Sequence, residues 1–195
     1  MAATPSVMLP LGTEAPNFSL PDTVSGKIMS FDEVKGDKGT LVMFICNHCP
    51  YVKHVNEELV HLAKDYMSRG IGFVAISAND VERYPDDAPD RMKETALKLG
   101  YPFPYLYDES QETARAYQAA CTPDFFLFDN AKKLVYRGQL DDSRPGNGIP
   151  VTGKDLRRAM DWLLEGKTVP EAEQKPSIGC SIKWKPENQD LGLFD

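Results

Sequence analysis

The chain has 195 residues, which suits one domain with a sizeable core, and its hydrophobic fraction of 42% is that of an ordinary globular protein. Its 22 basic and 29 acidic side chains give a formal net charge of -7, and the basic residues form no cluster in the sequence. Nucleic acids and anionic membrane surfaces are therefore excluded as expected partners.

The N-terminal residues lack the basic start and the long apolar segment of a secretory signal. A run of about 18 apolar residues, the length of a membrane-spanning helix, occurs nowhere in the sequence. We therefore expect a cytoplasmic protein, whose thiols are kept reduced. In such a protein the four cysteines favour catalysis or metal binding over structural disulfides.

The first strong pattern predicts a strand, a helix and a second strand. Residues 41–45 form an unbroken apolar run, which is typical of a buried strand. Pro50 suits the first position of a helix, and Gly70 can end that helix. A second apolar run, Ile71–Ser77, follows. This order predicts a βαβ unit with two parallel strands. The helix has apolar residues at three- and four-residue steps, namely Val52, Val55, Leu59, Leu62 and Tyr66.

Two cysteines lie between the first strand and its helix, in the run Cys46, Asn47, His48, Cys49 and Pro50. A thiolate is the reactive form of cysteine, and a helix N-terminus stabilises it. Cys49 directly precedes the helix, and His48 offers a cationic neighbour that would lower a thiol pKa further. Two cysteines separated by two residues within a βαβ unit predict redox chemistry.

A metal site is an alternative interpretation of the same residues. Cys46 and Cys49 would bind zinc or copper(I) together with one of His48, His54 or Cys180. A second cysteine pair or a histidine pair, which would complete such a site, is missing from the sequence. For His48 and His54, a position that faces solvent is an equal alternative to a role in the site. The third histidine, His61, is expected on the surface.

The next elements follow from shorter patterns. Positions 92–99 have the apolar spacing of a helix, which a glycine ends, and Tyr105–Tyr107 predicts a short strand. Asp108 and Gln111 are spaced as a capping box, which predicts a helix through about residue 117. Cys121 is expected to be a small core residue, although a place near the cysteine motif remains open.

The last part of the predicted domain holds a hairpin, a loop and a helix. Two β-rich runs, 125–128 and 134–136, are joined by a polar turn and predict the hairpin. Residues 139–151 form a long polar loop, a type of segment that is often functional. Thr152 and Asp155 form a second capping pair, which opens the last predicted helix.

Residues 167–195 form a proline-rich tail, which we expect to pack on a domain that spans residues 1–166. Ile182 and Trp184 are candidate apolar anchors for the tail. Cys180 then has two open interpretations, namely a third redox-active thiol near the cysteine motif or an inert small residue.

The chain resembles the redoxin branch of the thioredoxin superfamily, which includes peroxiredoxins and thioredoxin-like disulfide reductases. The resemblance rests on the opening stretch 11–22, the cysteine motif, and Thr122 with Pro123 before the hairpin. The tail residues 176–184 are similar to those of a bacterial subgroup of small thioredoxin-family proteins. That subgroup also shares the stretch found here at 47–51.

The resemblance implies an α/β thioredoxin-like fold, with a central mixed β-sheet between helices, an N-terminal β extension and a C-terminal tail. It also implies that a cis bond joins Thr122 to Pro123 and faces the cysteines; an ordinary trans bond is the alternative. The backbone of Thr122 would then be free to pair with an extended thiol substrate as an added strand.

The motif departs from both branches of the family. Cys49 stands where thioredoxins place their nucleophile, so Cys46 is an extra cysteine that precedes it. Cys49 followed by Pro50 also resembles the peroxidatic pair of peroxiredoxins. Those enzymes carry Thr or Ser where this chain has Cys46, and an Arg where this chain has Pro123. Arg137 lies at another position. These differences disfavour an efficient peroxidase.

The sequence therefore predicts an enzyme for reversible dithiol–disulfide exchange through a mixed disulfide. In this hypothesis Cys49 attacks, Cys46 resolves, His48 favours the thiolate, and Thr122 with Pro123 positions the partner. Its partners would be protein or small-molecule thiols and disulfides, and no organic cofactor or metal is expected. A thiol-dependent peroxidase and a copper or zinc carrier remain as alternatives.

Overall fold

The computed structural model describes residues 3–189. The strands are β1 (Ala3–Pro5), β2 (Ser19–Pro21), β3 (Ile28–Ser30), β4 (Gly39–Phe44), β5 (Ile71–Ser77), β6 (Tyr105–Tyr107), β7 (Cys121–Thr122), β8 (Asp124–Asp129), β9 (Leu134–Gly138) and β10 (Ile178–Ser181). The α-helices are α1 (Phe31–Val34), α2 (Pro50–Met67), α3 (Pro89–Leu99), α4 (Glu112–Ala116) and α5 (Lys154–Leu164). None of the helices in this range has the length and apolar character needed to cross a membrane. The expected cytoplasmic location stays a prediction.

A five-stranded mixed sheet forms the centre of the fold, in the order β6-β5-β4-β8-β9. β4 pairs parallel with β5, and β5 pairs parallel with β6. β8 runs antiparallel to both β4 and β9. The βαβ unit, the hairpin and the central mixed sheet that the sequence predicted are confirmed.

Each face of the central sheet carries its own apolar core, because successive strand residues point to opposite faces. On one face Leu41 and Met43 of β4 pack with residues of α2, α3 and α5. On the other face Val42 and Phe44 pack with Phe31 of α1 and with residues of α4 and the N-terminal segment. The sheet therefore lies between two helical layers, and α2 packs on one face of the sheet through its buried apolar residues.

The expected capping box at α4 is wrong. Gln111 precedes this helix with a positive φ of 66°, and its side chain caps nothing. The Gln111 amide instead donates to the carbonyl oxygens of Ala78 and Lys183, and Asp108 accepts the N–H of Ala114. The spacing predicted that the Gln111 side chain caps α4, but this side chain binds the tail at Lys183 instead.

The expected capping pair at α5 is also wrong. Gly153 is the N-cap residue, and the Asp141 carboxylate accepts the N–H groups of Thr152 and Gly153. Asp155 accepts from the side chain of Gln139 instead. A carboxylate from the 139–151 loop therefore orders the start of this helix, which a local motif did not predict.

The tail returns to the domain as a strand. β10 lies between β1 and β7 in a separate three-stranded sheet, antiparallel to both. Ile182 is buried, and Trp184 packs against the same core cluster, as expected of apolar anchors. Residues 190–195 of the expected tail lie outside the described residues.

The buried side of α2 yields a test of this packing. Leu59 is 0% exposed in the core beneath α2, whereas Leu97 on α3 is 61% exposed. We expect Leu59→Ala to lower the free energy of unfolding by about 2–5 kcal/mol, because it leaves a cavity. The matched change Leu97→Ala is expected to alter it by less than about 0.5 kcal/mol. Chemical denaturation measures both, and equal effects would contradict the assigned core.

Candidate active site

The cysteine motif lies at the junction between β4 and α2. Cys49 is the N-cap residue of the 18-residue helix, and Pro50 is its first residue. The carbonyl oxygen of Cys49 accepts the N–H groups of Val52 and Lys53. Cys49 is 0% exposed and Cys46 is 2% exposed. The pair therefore sits inside the domain, at the positive end of the helix dipole.

The segment before β8 faces both cysteines. The bond between Thr122 and Pro123 is cis, which confirms the expectation. The Sγ atom of Cys49 lies 3.3 Å from the carbonyl oxygen of Thr122. The Sγ atom of Cys46 lies 3.5 Å from the hydroxyl oxygen of Thr122. Thr122 thus touches both thiols of the motif.

The structure brings a third cysteine to the motif. The Sγ atoms of Cys180 and Cys49 are 2.8 Å apart, although the two residues are 131 positions apart in the sequence. Cys121 is fully buried, and its Sγ atom faces the carbonyl oxygens of Pro123 and Ser177 at 3.7 and 4.0 Å. Burial raises the pKa of Cys121, as expected of a core residue.

Of the three thiols in this cluster, Cys49 has the lowest pKa. A hydrogen bond from the Cys46 thiol lowers the pKa of Cys49 to about 4. Burial opposes this change, and hydrogen bonds from Cys180 and Thr122 add to it. The same bond, together with burial and the charge of Asp87, raises the pKa of Cys46. Burial and then the bond to Cys49 raise the pKa of Cys180 to about 12. Cys49 is therefore the thiolate of the three.

An ion pair lies beside Cys46. The Nδ1 atom of His48 pairs with the carboxylate of Asp87 and is 3.9 Å from the Sγ atom of Cys46. The bond to Asp87 raises the pKa of His48, although burial opposes the shift. The His48 ring stacks on Tyr84 with 5.3 Å between ring centroids. This arrangement favours the charged form of the His48 imidazole next to the thiol motif.

Asp87 is the residue that sequence reasoning missed. Its carboxylate accepts the backbone N–H groups of Asn47 and His48 at 2.8 and 3.1 Å, and the side-chain amide of Asn79 at 2.9 Å. Burial would raise the pKa of Asp87, but the bonds from His48 and Asn79 hold it below its ordinary value. In the sequence Asp87 stands in a short polar loop between two prolines, where nothing distinguishes it from its neighbour Asp86.

The remaining histidines are not part of this cluster. The Nε2 atom of His54 lies 2.7 Å from the hydroxyl of Ser143 in the 139–151 loop. The side chain of His61 is 56% exposed, as expected of a surface residue. The structure thus assembles His48, and neither of the other histidines, with the cysteines.

One group of side chains in the described range has the proximity that a metal ion requires. The potential ligand atoms of Cys46, His48 and Asp87 all lie within 4.8 Å of one another. His48 already shares its Nδ1 atom with Asp87, so this nitrogen would have to exchange its proton for the metal.

Arg137 makes its hydrogen bonds to other parts of the chain than the cysteine motif. Arg137 donates to the carbonyl oxygen of Leu9, to the side-chain oxygen of Gln174 and to the carboxylate of Glu171. Its guanidinium therefore binds the N-terminal segment and the tail.

Comparison with known proteins gives a family and a fold. The model of the AhpC/TSA family matches residues 11–137. The crystal structure of an uncharacterized conserved protein from Geobacillus kaustophilus is 63% identical with a TM-score of 0.93, and the match covers 95% of this chain and 98% of that chain. A hypothetical protein from Sinorhizobium meliloti 1021 is 49% identical with a TM-score of 0.91, over 94% of this chain and 99% of that chain.

More distant structures share the fold alone. A thiol:disulfide interchange protein of the thioredoxin family from Chlorobium tepidum TLS is 23% identical with a TM-score of 0.61. That match covers 78% of this chain and 97% of the other. No curated protein matched the sequence. The thioredoxin-like fold that the sequence predicted is confirmed.

The ion pair between His48 and Asp87 predicts a measurable shift in the pKa of His48. We expect NMR of the imidazole protons to give His48 a pKa above its ordinary value of 6.5, and Asp87→Asn to lower that pKa, because the carboxylate is the main cause of the shift. The matched variant Asp86→Asn, in the exposed neighbour, should leave it unchanged. Charged His48 stabilises the fold below pH 6.5, and this contribution is lost as the pH rises through the raised pKa. Equal pKa values in all three proteins would contradict the ion pair.

Proposed function

The chain belongs to the AhpC/TSA family, and from this membership we propose that it is a thiol–disulfide oxidoreductase whose reacting atoms are the sulfurs of Cys46 and Cys49. The observation that carries the proposal is the thiolate of Cys49 at the start of α2, with a pKa lowered to about 4 by the neighbouring thiol. A nucleophilic thiolate with a second thiol in contact is the minimum that disulfide exchange requires.

The reaction proceeds in two exchange steps. The Cys49 thiolate attacks one sulfur of a substrate disulfide, and the other sulfur leaves as a thiolate that takes up a proton. Cys46 then attacks the Sγ atom of Cys49, and its proton passes to the departing second thiol of the substrate. The products are two substrate thiols and a Cys46–Cys49 disulfide, so two electrons move from the protein to the substrate.

His48 and Thr122 serve this reaction through their positions. The bond to Asp87 raises the pKa of His48, whose Nδ1 atom lies 3.9 Å from the Sγ atom of Cys46, and the charged imidazole would favour the loss of the proton from that thiol. Thr122 contacts both reacting sulfurs through its hydroxyl and its carbonyl oxygen. We assign His48 to proton handling and Thr122, with Pro123, to positioning of the partner.

A thiol-dependent peroxidase is the second candidate function, and family membership together with Cys49 followed by Pro50 favours it. In that reaction the Cys49 thiolate would take one oxygen from hydrogen peroxide and leave water, and the sulfenic acid would condense with Cys46 to a disulfide with release of a second water. The site supports it less well, because Cys46 replaces the hydroxyl residue and Arg137 is bonded to Glu171 and Gln174.

A metal carrier is a third candidate, favoured by the proximity of Cys46, His48 and Asp87. Zinc or copper(I) would then remain with the purified protein at a fixed molar ratio. Elemental analysis measures this ratio, and a Cys46→Ser variant that retains the same metal content would exclude the site.

Trapping identifies the attacking cysteine. The double variant Cys46→Ser/Cys180→Ser leaves Cys49 without a neighbouring thiol, so we expect a peptide disulfide to give a stable mixed disulfide at Cys49, detected by mass spectrometry without reduction. The matched variant Cys49→Ser/Cys180→Ser should trap far less, because burial and the charge of Asp87 still raise the pKa of Cys46 when the bond to Cys49 is lost. The reverse pattern would make Cys46 the nucleophile.

Relative rates separate the first two functions. With a thiol donor in excess, we expect a peptide disulfide to be consumed at least about tenfold faster than hydrogen peroxide at equal concentration, a difference of about 1.4 kcal/mol in activation free energy. Cys49→Ser should abolish both reactions, which controls for uncatalysed turnover. Comparable second-order rates would move the assignment to a peroxidase.

A further inference from the structure

The backbone of Thr122, where a substrate strand was expected, already has a partner. β10 pairs antiparallel with β7, with Cys180 opposite Thr122 and Ser181 opposite Cys121. β1 then covers the other edge of β10. Thr122 is consequently only 3% exposed. The chain fills its own candidate docking position with a strand from its tail.

This strand also presents a sulfur to the nucleophile. The Sγ atom of Cys180 lies 2.8 Å from the Sγ atom of Cys49, while its backbone pairs with Thr122. A bound disulfide substrate would need both of these positions, one for its backbone and one for its sulfur. An external disulfide therefore reaches Cys49, which is 0% exposed, only when β10 moves aside.

The fit of β10 depends on a glycine. A Cβ atom at position 179 would overlap the carbonyl oxygen of Thr122, so only glycine permits this close approach. Beyond the strand, the N–H of Ile182 donates to Ala120 at 3.1 Å, and the N–H of Lys183 donates to Asn79 at 2.9 Å. These bonds hold the strand in register over the thiols.

We propose that β10 is an internal strand in the position of a substrate strand, and that Cys180 provides a second route, beside Cys46, for resolving the mixed disulfide at Cys49. A substrate displaces β10 and forms the mixed disulfide; the strand then returns, and Cys180 attacks the Sγ atom of Cys49. The proton of Cys180 passes to the departing substrate thiol, and a Cys49–Cys180 disulfide remains. Cys46 can exchange into this bond without any net transfer of electrons, and an external dithiol reductant restores the three thiols. This inference rests on the proposed function, because it needs Cys49 to react with disulfides.

The charge of the cluster agrees with this sequence of steps. In the resting protein, burial and the adjacent Cys49 thiolate together raise the pKa of Cys180 to about 12, so Cys180 is an unreactive thiol. A mixed disulfide at Cys49 removes the thiolate and with it the second of these causes. Cys180 therefore becomes a better nucleophile at the stage at which it is required.

A comparison of two variants tests the resolving step. With excess peptide disulfide, Cys46→Ser should release two equivalents of substrate thiol and show a Cys49–Cys180 bridge in peptide mapping without reduction. Cys46→Ser/Cys180→Ser should release one equivalent and keep the substrate on Cys49. Cys46→Ser/Cys121→Ser is the matched control, because it removes the other buried cysteine beside Thr122, and it should behave as Cys46→Ser.

The outcomes distinguish this inference from the proposed function. If Cys46→Ser keeps the substrate on Cys49 and releases one equivalent, Cys180 does not resolve, and the inference is overturned while the proposed function stands. If none of these proteins releases substrate thiol, Cys49 does not react with disulfides, and both proposals are wrong.

The covering role of β10 has its own measurement. Gly179→Ala must push the strand away from Thr122, so we expect iodoacetamide to label Cys49 at least about tenfold faster than in the wild type. Ser181→Ala, two positions away in the same strand, should label at the wild-type rate. Thermal unfolding confirms that each variant is folded, and an unchanged rate in folded Gly179→Ala would show that β10 does not cover the thiol.

Discussion

The lowered pKa of the buried Cys49 thiol is the constraint on which the rest of this structure depends. A charge inside a protein is tolerated only when donors surround it. Cys49 obtains these from the N-terminal end of α2, from the thiols of Cys46 and Cys180, and from the hydroxyl of Thr122. These groups come from separate segments, since β4 leads into Cys46, β7 carries Thr122 and β10 carries Cys180. The five-stranded sheet, the three-stranded sheet and α2 must therefore meet at one point, and that point is the candidate site.

Asn79 connects the thiol cluster to the tail. Its amide donates to the Asp87 carboxylate, and its carbonyl oxygen accepts the N–H of Lys183 just beyond β10. Asp87 in turn pairs with the Nδ1 atom of His48 and raises the pKa of this residue. Asn79 therefore links Lys183 in the tail to the ion pair beside Cys46. The site and the tail are parts of one network of hydrogen bonds.

The tail is shared with similar proteins of nearly equal length. The match to the Geobacillus kaustophilus protein covers 95% of this chain, and the match to the Sinorhizobium meliloti protein covers 94%. Neither match can omit the whole of residues 167–195.

The sequence by itself determined what depends on residues close together in the chain. Apolar periodicity located β4, α2 and β5, and the spacing of Cys46 and Cys49 identified the thiol motif. The tertiary structure alone decided the roles of Gln111 and Asp87 and the position of Cys180. Gln111 has the spacing of a helix cap, but the carbonyl oxygen of Lys183 competes for its amide. Cys180 is 131 residues from Cys49, and Asp87 is 39 from His48. Contacts over such separations depend on which strands pair and in which register, and no local pattern of side chains encodes that choice.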